Sequence, residues 1–389
     1  MTEVVVTVSV PPDLPADLLE TMTGGMYWLD EGVTSASLAP GRLTVSYCGR
    51  LPEERIRELV TAEVGRLVGS AADQPAPWFD GSSLGTARSP GSDPLPLLTD
   101  RGWAVEEAPG TWLLSGPLAR LHEAADRLIC DRLLSHGAEP VSLPSLLSPG
   151  NLRRSGYFES NAAAVNYVFH LREGRDTLAG FGRANAGRQD DALALESVPS
   201  TAAQPDAVLS PAACLPYLRS LRGRILDRLS MVTGRARVFR YESGATAGLR
   251  RSREFTVREA IVAGNSEQVQ ERRLLLLSVA RSLVSDVGLA CRIVPAADPF
   301  FATDLASLRR YQLAFGLKHE IRADLPFDGS SLAIGSVNLH RDHFGLTWQA
   351  EAAGEPAWSC CMGFGLERFI FAVCAQFGAE PSDWPAVLR

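Results

Sequence analysis

The sequence predicts an α+β protein built of a small N-terminal unit and a larger second domain. A β-branched run at residues 4–10 is typical of a strand and opens the first unit. A stretch rich in Pro, Gly and Ser at residues 71–98 indicates a linker or a long surface loop. Beyond it, strands and helices follow one another without regular β-α-β alternation. This order favours an antiparallel sheet flanked by helices over a parallel sheet.

Residues 1–70 form the predicted small α+β unit. Two further strand-like runs within residues 32–48 are separated by Pro40-Gly41, a turn signal. Residues 53–68 then alternate apolar and charged residues at helical spacing. With a short helix after the first strand, this order suggests a ferredoxin-like arrangement.

The second domain, residues 99–389, is expected to combine antiparallel strands with long helices. The expected elements are a hairpin at 103–114, helices at 117–136, 215–232, 266–287 and 366–377, and strands at 237–242, 254–260, 331–338 and 344–350.

The overall composition excludes some classes of protein. The chain of 389 residues has a net charge of -7, so no overall field draws it towards nucleic acid. Its seven cysteines are odd in number and irregularly spaced, which favours buried thiols or metal ligands over a disulfide framework. The sequence contains neither a signal-peptide pattern nor an apolar run of membrane-spanning length. We therefore expect a cytoplasmic protein with no membrane partner.

An arginine-rich loop joins two of the predicted strands. Arg240 and Glu242 end the first strand, and residues 248–255 contain several arginines followed by Phe255. Guanidinium groups bind phosphate well because they stay charged and donate two parallel hydrogen bonds. An aromatic ring on the return strand can stack on a base. Taken alone, the loop is also compatible with a solvated hairpin that carries ordinary surface arginines.

A glycine-rich turn precedes the last predicted helix. Cys361 is followed by Gly363-x-Gly365-x-x-Arg368, and the glycines allow the strand to approach the helix closely. Arg368 then projects from the first helical turn. Taken alone, this spacing also fits a strand-to-helix turn with a packing glycine.

Together the two segments resemble motifs 2 and 3 of class II aminoacyl-tRNA synthetases, in the same order and separation. Pro144 stands where motif 1 is expected, and residues 248–255 are nearest to the seryl pattern Gly-Leu-x-Arg-x-x-x-Phe. Residues 258–267, 296–301 and 335–345 further resemble the amino acid:[carrier protein] ligases, which are related to zinc-dependent, atypical seryl-tRNA synthetases. The resemblance covers roughly residues 100 to 389 and implies a class II synthetase-type catalytic domain.

The resemblance implies a zinc site made of Cys214, Glu259 and Cys361. Three protein ligands leave a fourth tetrahedral position open for a substrate amine. The residues alone leave two alternatives: buried free cysteines beside a surface glutamate, or Cys360 in place of Cys361. The Cys-x-Gly-x-Gly spacing favours Cys361, because successive strand residues face opposite ways.

The resemblance also implies an ATP site in which catalysis depends on Arg240, Glu242 and Arg368. Arg240 is expected to hold the α-phosphate, and Arg251 and Arg368 the β- and γ-phosphates. Phe255 stacks on adenine while Glu242 accepts a hydrogen bond from its amino group. Magnesium bridges the phosphates. Ser336 and Asn338 are also implied as ATP-binding residues.

The chain departs from the family pattern at one position. Related synthetases place an acidic metal ligand where this sequence has Ala333. Glu320 is the nearest upstream carboxylate that can help to hold magnesium. The departure keeps open the hypothesis of a paralogue that binds an amino acid or a partner without catalysis.

The leading functional hypothesis is an ATP-dependent ligase. It activates a small amino acid as an aminoacyl-adenylate and transfers it to the phosphopantetheine thiol of a carrier protein. A seryl-type aminoacyl-tRNA synthetase is the alternative enzyme. Residues 1–70 show no basic-aromatic pattern, which disfavours tRNA as a partner. Class II folds are commonly dimers, so a homodimer is expected.

Overall fold

The computed structural model describes residues 3–12, 14, 16–69, 76–84, 91–186, 201–242, 246–297 and 305–389. The strands are β1 (Val4–Ser9), β2 (Val33–Ala39), β3 (Arg42–Tyr47), β4 (Phe79–Asp80), β5 (Ala104–Ala108), β6 (Thr111–Leu114), β7 (Glu139–Pro140), β8 (Leu146–Leu147), β9 (Tyr167–Val168), β10 (Ala207–Leu209), β11 (Ile225–Leu226), β12 (Ser230–Phe239), β13 (Glu254–Gly264), β14 (Cys291–Ala296), β15 (Lys318–Leu325), β16 (Ser330–Arg341), β17 (Glu351–Ala352), β18 (Glu355–Pro356) and β19 (Trp358–Gly365).

The helices are α1 (Ala16–Met26), α2 (Glu53–Gly69), α3 (Pro94–Asp100), α4 (Gly116–Ser135), α5 (Pro149–Arg154), α6 (Tyr157–Asn161), α7 (Arg175–Asn185), α8 (Cys214–Ser220), α9 (Ser266–Val287), α10 (Leu305–Ala314), α11 (His343–Trp348) and α12 (Leu366–Phe377). Short 3₁₀ turns occur at Ala162–Ala164, Pro381–Asp383 and Ala386–Leu388.

The N-terminal unit is a three-stranded antiparallel sheet covered by α1 and α2, as far as the described residues show. The strand order is β1-β3-β2. This β-α-β-β-α order matches the first five elements of a ferredoxin-like unit, which has a fourth strand. The unit has its own apolar core, to which α1 contributes Leu18, Met22 and Met26.

Parts of the segment that the sequence assigns to a linker belong to the second domain. β4 pairs with β14 at the edge of the large sheet. α3 begins at a proline, is capped by the Asp93 side chain, and packs against α12. Residues 71–75 and 85–90 of the predicted linker lie outside the described residues.

The second domain is organised around a sheet that has eight strands among the described residues. Their order is β4-β14-β15-β16-β19-β13-β12-β7. All neighbours are antiparallel except β7 and β12, which are parallel. This agrees with the predicted class II synthetase-type α+β architecture, since neighbouring strands far apart in sequence are brought together by helical connections.

One face of the large sheet carries the main core. α4, α9 and α12 cover it, and their buried side chains form one continuous apolar cluster. α12 is buried on nearly every side, which explains its run of apolar residues. The other face of the sheet lies open at its centre, and there the predicted site residues converge.

Two predicted elements are wrong. The helix expected at residues 215–232 ends at Ser220, because Gly223 turns the chain with φ +67° and the following residues alternate as strand β12. The strand expected at residues 344–350 is the helix α11. Its mixed run of aromatic and small residues fits either period over so short a length.

No helix in the described part of the chain is both long and apolar enough to cross a membrane. In α4, α9 and α12, apolar side chains instead cover the sheet.

Candidate functional site

A cavity of about 1500 Å³ opens on the free face of the large sheet. The N-terminal unit and the loop between β12 and β13 also contribute to its wall. All the site residues predicted from the sequence line this cavity: Cys214, Arg240, Glu242, Arg251, Phe255, Glu259, Glu320, Ser336, Asn338, Cys361 and Arg368. Residues spread over some 150 positions of the chain therefore share one cleft.

Sheet register explains why these residues meet. Lys318, Asn338 and Cys361 are direct neighbours across β15, β16 and β19. Two positions further on, Glu320, Ser336, Gly363 and Glu259 form the next row across β15, β16, β19 and β13. Side chains two residues apart on a strand point to the same face. Both rows therefore face the cleft.

A group of potential metal ligands lies at one end of the rows. The Cys214 and Cys361 thiols and an imidazole nitrogen of His340 all lie within 4.8 Å of one another. Cys361 Sγ is 3.5 Å from His340 Nε2. The other ring nitrogen, Nδ1, lies 3.0 Å from Ser359 Oγ, which orients the imidazole. His340 was not among the ligands implied by the resemblance.

Glu259 lies beside this group and contacts the Cys361 thiol. Burial raises the pKa of Glu259 to about 7. Gly363 makes room for the carboxylate, because a Cβ there would lie 2.8 Å from Glu259 Oε2. Hydrogen bonding to Cys214 and burial raise the pKa of Cys361 as well.

The two adjacent cysteines face opposite sides of the sheet. Cys361 packs with Cys214 on the cleft side. Cys360 belongs to the main core, and its thiol points towards the carbonyl of Val269. Burial raises the pKa of Cys360 to about 12. Only Cys361 of the pair belongs to the candidate metal group.

The predicted arginines lie further along the sheet, in the connection between β12 and β13 and in the first turn of the helix that follows β19. The Arg240 guanidinium lies 5.4 Å from the centre of the Phe255 ring, and its Nε donates to the carbonyl of Pro211 at 3.0 Å. Arg251 Nε donates to Glu242 Oε2 at 2.5 Å. This pair has to open if Arg251 is to bind phosphate and Glu242 is to bind a base.

Arg368 projects from the first turn of α12 beneath the strand β16. Its Nη1 donates to the carbonyl of Ala333 at 3.1 Å. The carbonyl, which any residue at position 333 provides, thus fixes the guanidinium at this end of the cleft.

Glu320 is engaged by two cations. Its Oε2 accepts from Arg322 at 2.7 Å, and its Oε1 lies 3.1 Å from Lys318 Nζ. Burial alone would raise the pKa of Glu320, but Lys318 and Arg322 outweigh it and hold that pKa below its ordinary value. Both carboxylate oxygens therefore face positive charges, and the role of Glu320 as a magnesium ligand stays a prediction.

Sequence reasoning missed His340, Lys318 and the contribution of α1 to the cleft. The signal for His340 was present, since it continues the even-numbered series of Ser336 and Asn338 on one strand. Nothing in the local sequence of α1 indicated that it would lie against an arginine of a distant loop.

Comparison with known proteins agrees with this architecture. No family model matches the chain. It is 30% identical over 306 residues to amino acid–[acyl-carrier-protein] ligase 2 of Bradyrhizobium diazoefficiens, covering 77% of this chain and 88% of that protein. It is 27% identical over 352 residues to the type-2 serine–tRNA ligase of Methanopyrus kandleri, covering 86% of this chain and 64% of that protein.

Solved structures share the fold. The seryl-tRNA synthetase of M. kandleri, crystallised in complex with a tRNASec from A. aeolicus, superposes with a TM-score of 0.71 at 21% identity. The match covers 99% of this chain and 76% of that one. The Pyrococcus horikoshii seryl-tRNA synthetase complexed with ATP gives a TM-score of 0.55 at 16% identity and covers 86% of this chain and 77% of that one. With its cleft, its sheet and these relatives, the chain belongs to the amino acid:[carrier protein] ligases, a family of class II aminoacyl-tRNA-synthetase-like enzymes.

Proposed function

We propose that this protein activates a small amino acid with ATP and transfers it to the phosphopantetheine thiol of a carrier protein. The observation that carries the proposal is the arrangement of one cleft. The donor atoms of Cys214, His340 and Cys361 lie at one end, with Glu259 beside them. Arg240, Arg251 and Arg368 lie beyond Phe255 and Gly365, further along the same strands. An amino acid bound at the first end would have its carboxylate on the side of the arginines.

The donor atoms at the first end suit zinc. Two cysteine thiolates with imidazole or carboxylate are the ligands that Zn²⁺ prefers. Cys214 and Cys361 are the shared ligands. His340 has a nitrogen within 4.8 Å of both thiols, and Glu259, which hydrogen-bonds to the Cys361 thiol, is the third ligand that the resemblance implies. A zinc ion bound there supplies a Lewis acid that selects the unprotonated amine.

The arginine end suits a triphosphate. In this proposal Arg240 binds the α-phosphate, and Arg251 and Arg368 bind the β- and γ-phosphates. Attack by the substrate carboxylate on the α-phosphorus forms the adenylate and releases pyrophosphate. The arginines stabilise the charge that builds up on the phosphate oxygens. Phe255 would stack on the adenine, and a magnesium ion bound with the phosphates would neutralise part of their negative charge.

A carrier protein is the favoured acceptor. The ligase of B. diazoefficiens is matched over 88% of its length, whereas the M. kandleri serine–tRNA ligase is matched over 64%. A tRNA is the second candidate, because the fold match to the M. kandleri enzyme extends over 99% of this chain and thus includes the N-terminal unit.

We also propose a homodimer, for which light scattering should give a mass of two chains.

Pyrophosphate exchange with a panel of small amino acids tests the activation step. We expect exchange with at least one amino acid, and loss of exchange after chelation. No exchange with any amino acid by the zinc-loaded protein would contradict the enzyme proposal.

Transfer to a phosphopantetheinylated carrier, tested beside transfer to tRNA, then identifies the acceptor. Charging of tRNA alone would contradict the carrier-protein proposal.

The adjacent cysteines provide a matched test of the metal site. Cys361→Ala should lose bound zinc, because it removes a thiolate from the donor group. Cys360→Ala should keep zinc and lower the free energy of unfolding by about 1 kcal/mol through lost core packing. Zinc content by elemental analysis and urea unfolding measure the two effects. Equal zinc content in both variants would contradict the assignment of Cys361.

A further inference from the structure

Helix α1 of the N-terminal unit makes contacts through two of its faces. Leu18, Met22 and Met26 are spaced four residues apart and point into the core of their own unit. Thr21, Gly24 and Trp28 line the cavity on the catalytic domain. The helix therefore packs on its own sheet with one face and borders the candidate active site with the other.

The closest contact joins Gly24 to Arg251. A Cβ built on Gly24 would lie 2.6 Å from Arg251 Nη2 and 3.0 Å from Nη1. The guanidinium thus rests against the backbone of α1, where only glycine leaves space for it. Its Nε donates to Glu242 on the other side. Arg251 is held between the N-terminal unit and the end of the hairpin that carries Arg240.

A second contact lies one helical turn further along. The Trp28 ring meets the Tyr241 ring edge to face, with the centres 5.9 Å apart. The Arg253 guanidinium lies over the same tyrosine ring, 4.8 Å from its centre. Helix α1 and Trp28, two residues beyond its end, therefore touch the β12–β13 segment at two points.

We infer that the N-terminal unit forms the wall of the nucleotide end of the cleft, and that Gly24 is a positioning residue for Arg251. This inference rests on the proposed binding of ATP in the cleft. Nucleotide binding requires Arg251 to exchange Glu242 for phosphate, and the guanidinium makes this move against the surface of α1. The position of the N-terminal unit then affects the affinity for nucleotide, and nucleotide binding in turn affects the position of the unit.

The neighbouring glycines allow a matched experiment. Both lie in α1, so Gly24→Ala and Gly25→Ala change helix propensity alike. A Cβ at Gly25 faces Glu63 of the same unit at 3.4 Å, which is ordinary contact. A Cβ at Gly24 displaces the flexible guanidinium of Arg251. We expect Gly24→Ala to bind ATP with magnesium about tenfold more weakly, the loss of roughly one charge-assisted hydrogen bond, while Gly25→Ala changes affinity less than about twofold.

Hydrogen exchange of the wild-type chain gives a second measurement that does not depend on any variant. Saturating ATP with magnesium should change amide protection in residues 16–26. Equal ATP affinities for the two glycine variants, tighter binding by Gly24→Ala, or unchanged protection of α1 would each overturn the inference. The proposed function fails differently, through the absence of ATP binding and of amino-acid-dependent pyrophosphate exchange in the wild type. Zinc content should be the same in all three proteins.

Discussion

At the level of single residues, position along a strand decides which side chains reach the cleft. Cys361 and Cys360 differ by one position and lie on opposite faces of the sheet. The same alternation brings Ser336, Asn338 and His340 to the cleft from one strand. Sequence reasoning could place Cys361 on the glycine-rich face because the spacing was local. It missed His340 because the ligand set implied by the resemblance does not contain a histidine.

Gly363 should prove important because it clears space for a carboxylate. In Gly363→Ala the new methyl would lie 2.8 Å from Glu259 Oε2 and 3.2 Å from Val257 Cγ1. We expect the new methyl group to displace the Glu259 carboxylate. Zinc affinity should then fall by about tenfold, as it does when the groups that support metal ligands are changed. Gly365→Ala is the control, since its Cβ meets nothing closer than 4.0 Å. Zinc titration with a competing chelator measures both, and equal affinities would count against the role of Gly363.

Glu320 should stabilise the fold in a pH-dependent way. Glu320→Gln leaves the buried Arg322 and the partly buried Lys318 without their carboxylate, at a cost of about 3 kcal/mol near neutral pH. The pKa of Glu320 is lowered in the folded protein, so its stabilisation is complete above the unfolded pKa and is lost as pH falls through the folded pKa. The difference in the free energy of unfolding between wild type and Glu320→Gln should therefore become smaller at acid pH.

Urea unfolding at about pH 7 and about pH 3 measures this difference. Glu58→Gln is the control, because its ion pair with Arg55 is exposed and worth less than about 1 kcal/mol. If the free energies of unfolding of wild type and Glu320→Gln differ by the same amount at both pH values, Glu320 stabilises the fold by packing rather than by charge.

At the level of elements, long periodic segments were predictable and short ones were not. The expected helices at 117–136 and 266–287 correspond to α4 and α9 within one residue, because both have a continuous apolar face. Capping signals fix the start of α9, where Asn265 and Gln268 form a reciprocal capping box. The helix expected at 215–232 failed because its arginine and leucine spacing continued across Gly223, whose turn breaks the helix.

The cap of α9 should contribute measurably to stability. Asn265 Oδ1 accepts from the backbone N–H of Gln268 at 2.9 Å. Asn265→Ala should lower the free energy of unfolding by about 1 kcal/mol, whereas Asn265→Asp keeps an acceptor and should cost less. Urea unfolding compares the two. A larger loss for the aspartate variant would contradict the role assigned to this hydrogen bond.

At the level of the whole molecule, the resemblance predicted the class of fold, but local patterns could not predict the long-range pairings. β14 and β15 were not expected as strands, and β4 was assigned to a linker. β4 pairs with β14, which lies more than 200 residues further along the chain, and pairing energy depends on neighbours that the local sequence does not contain. The seating of the N-terminal unit against Arg251 is invisible to sequence reasoning for the same reason.

Zinc should stabilise the whole second domain. Cys214, His340 and Cys361 come from α8, β16 and β19, so an ion joins elements that are distant in sequence. At a thousandfold excess over its Kd, zinc should add about 4 kcal/mol to the free energy of unfolding. Thermal unfolding with added zinc and with a chelator measures the shift. The doubly substituted Cys214→Ala/Cys361→Ala protein should show none, and an equal shift there would indicate binding elsewhere.

The dispersed origin of the metal donors has a consequence for biosynthesis. Cys214 emerges from the ribosome long before His340 and Cys361, and these last two become neighbours only when β16 and β19 have paired. A nascent or prematurely terminated polypeptide therefore presents single thiols with weak affinity for the ion. An ion bound by these three residues can therefore be captured only after β16 and β19 have paired.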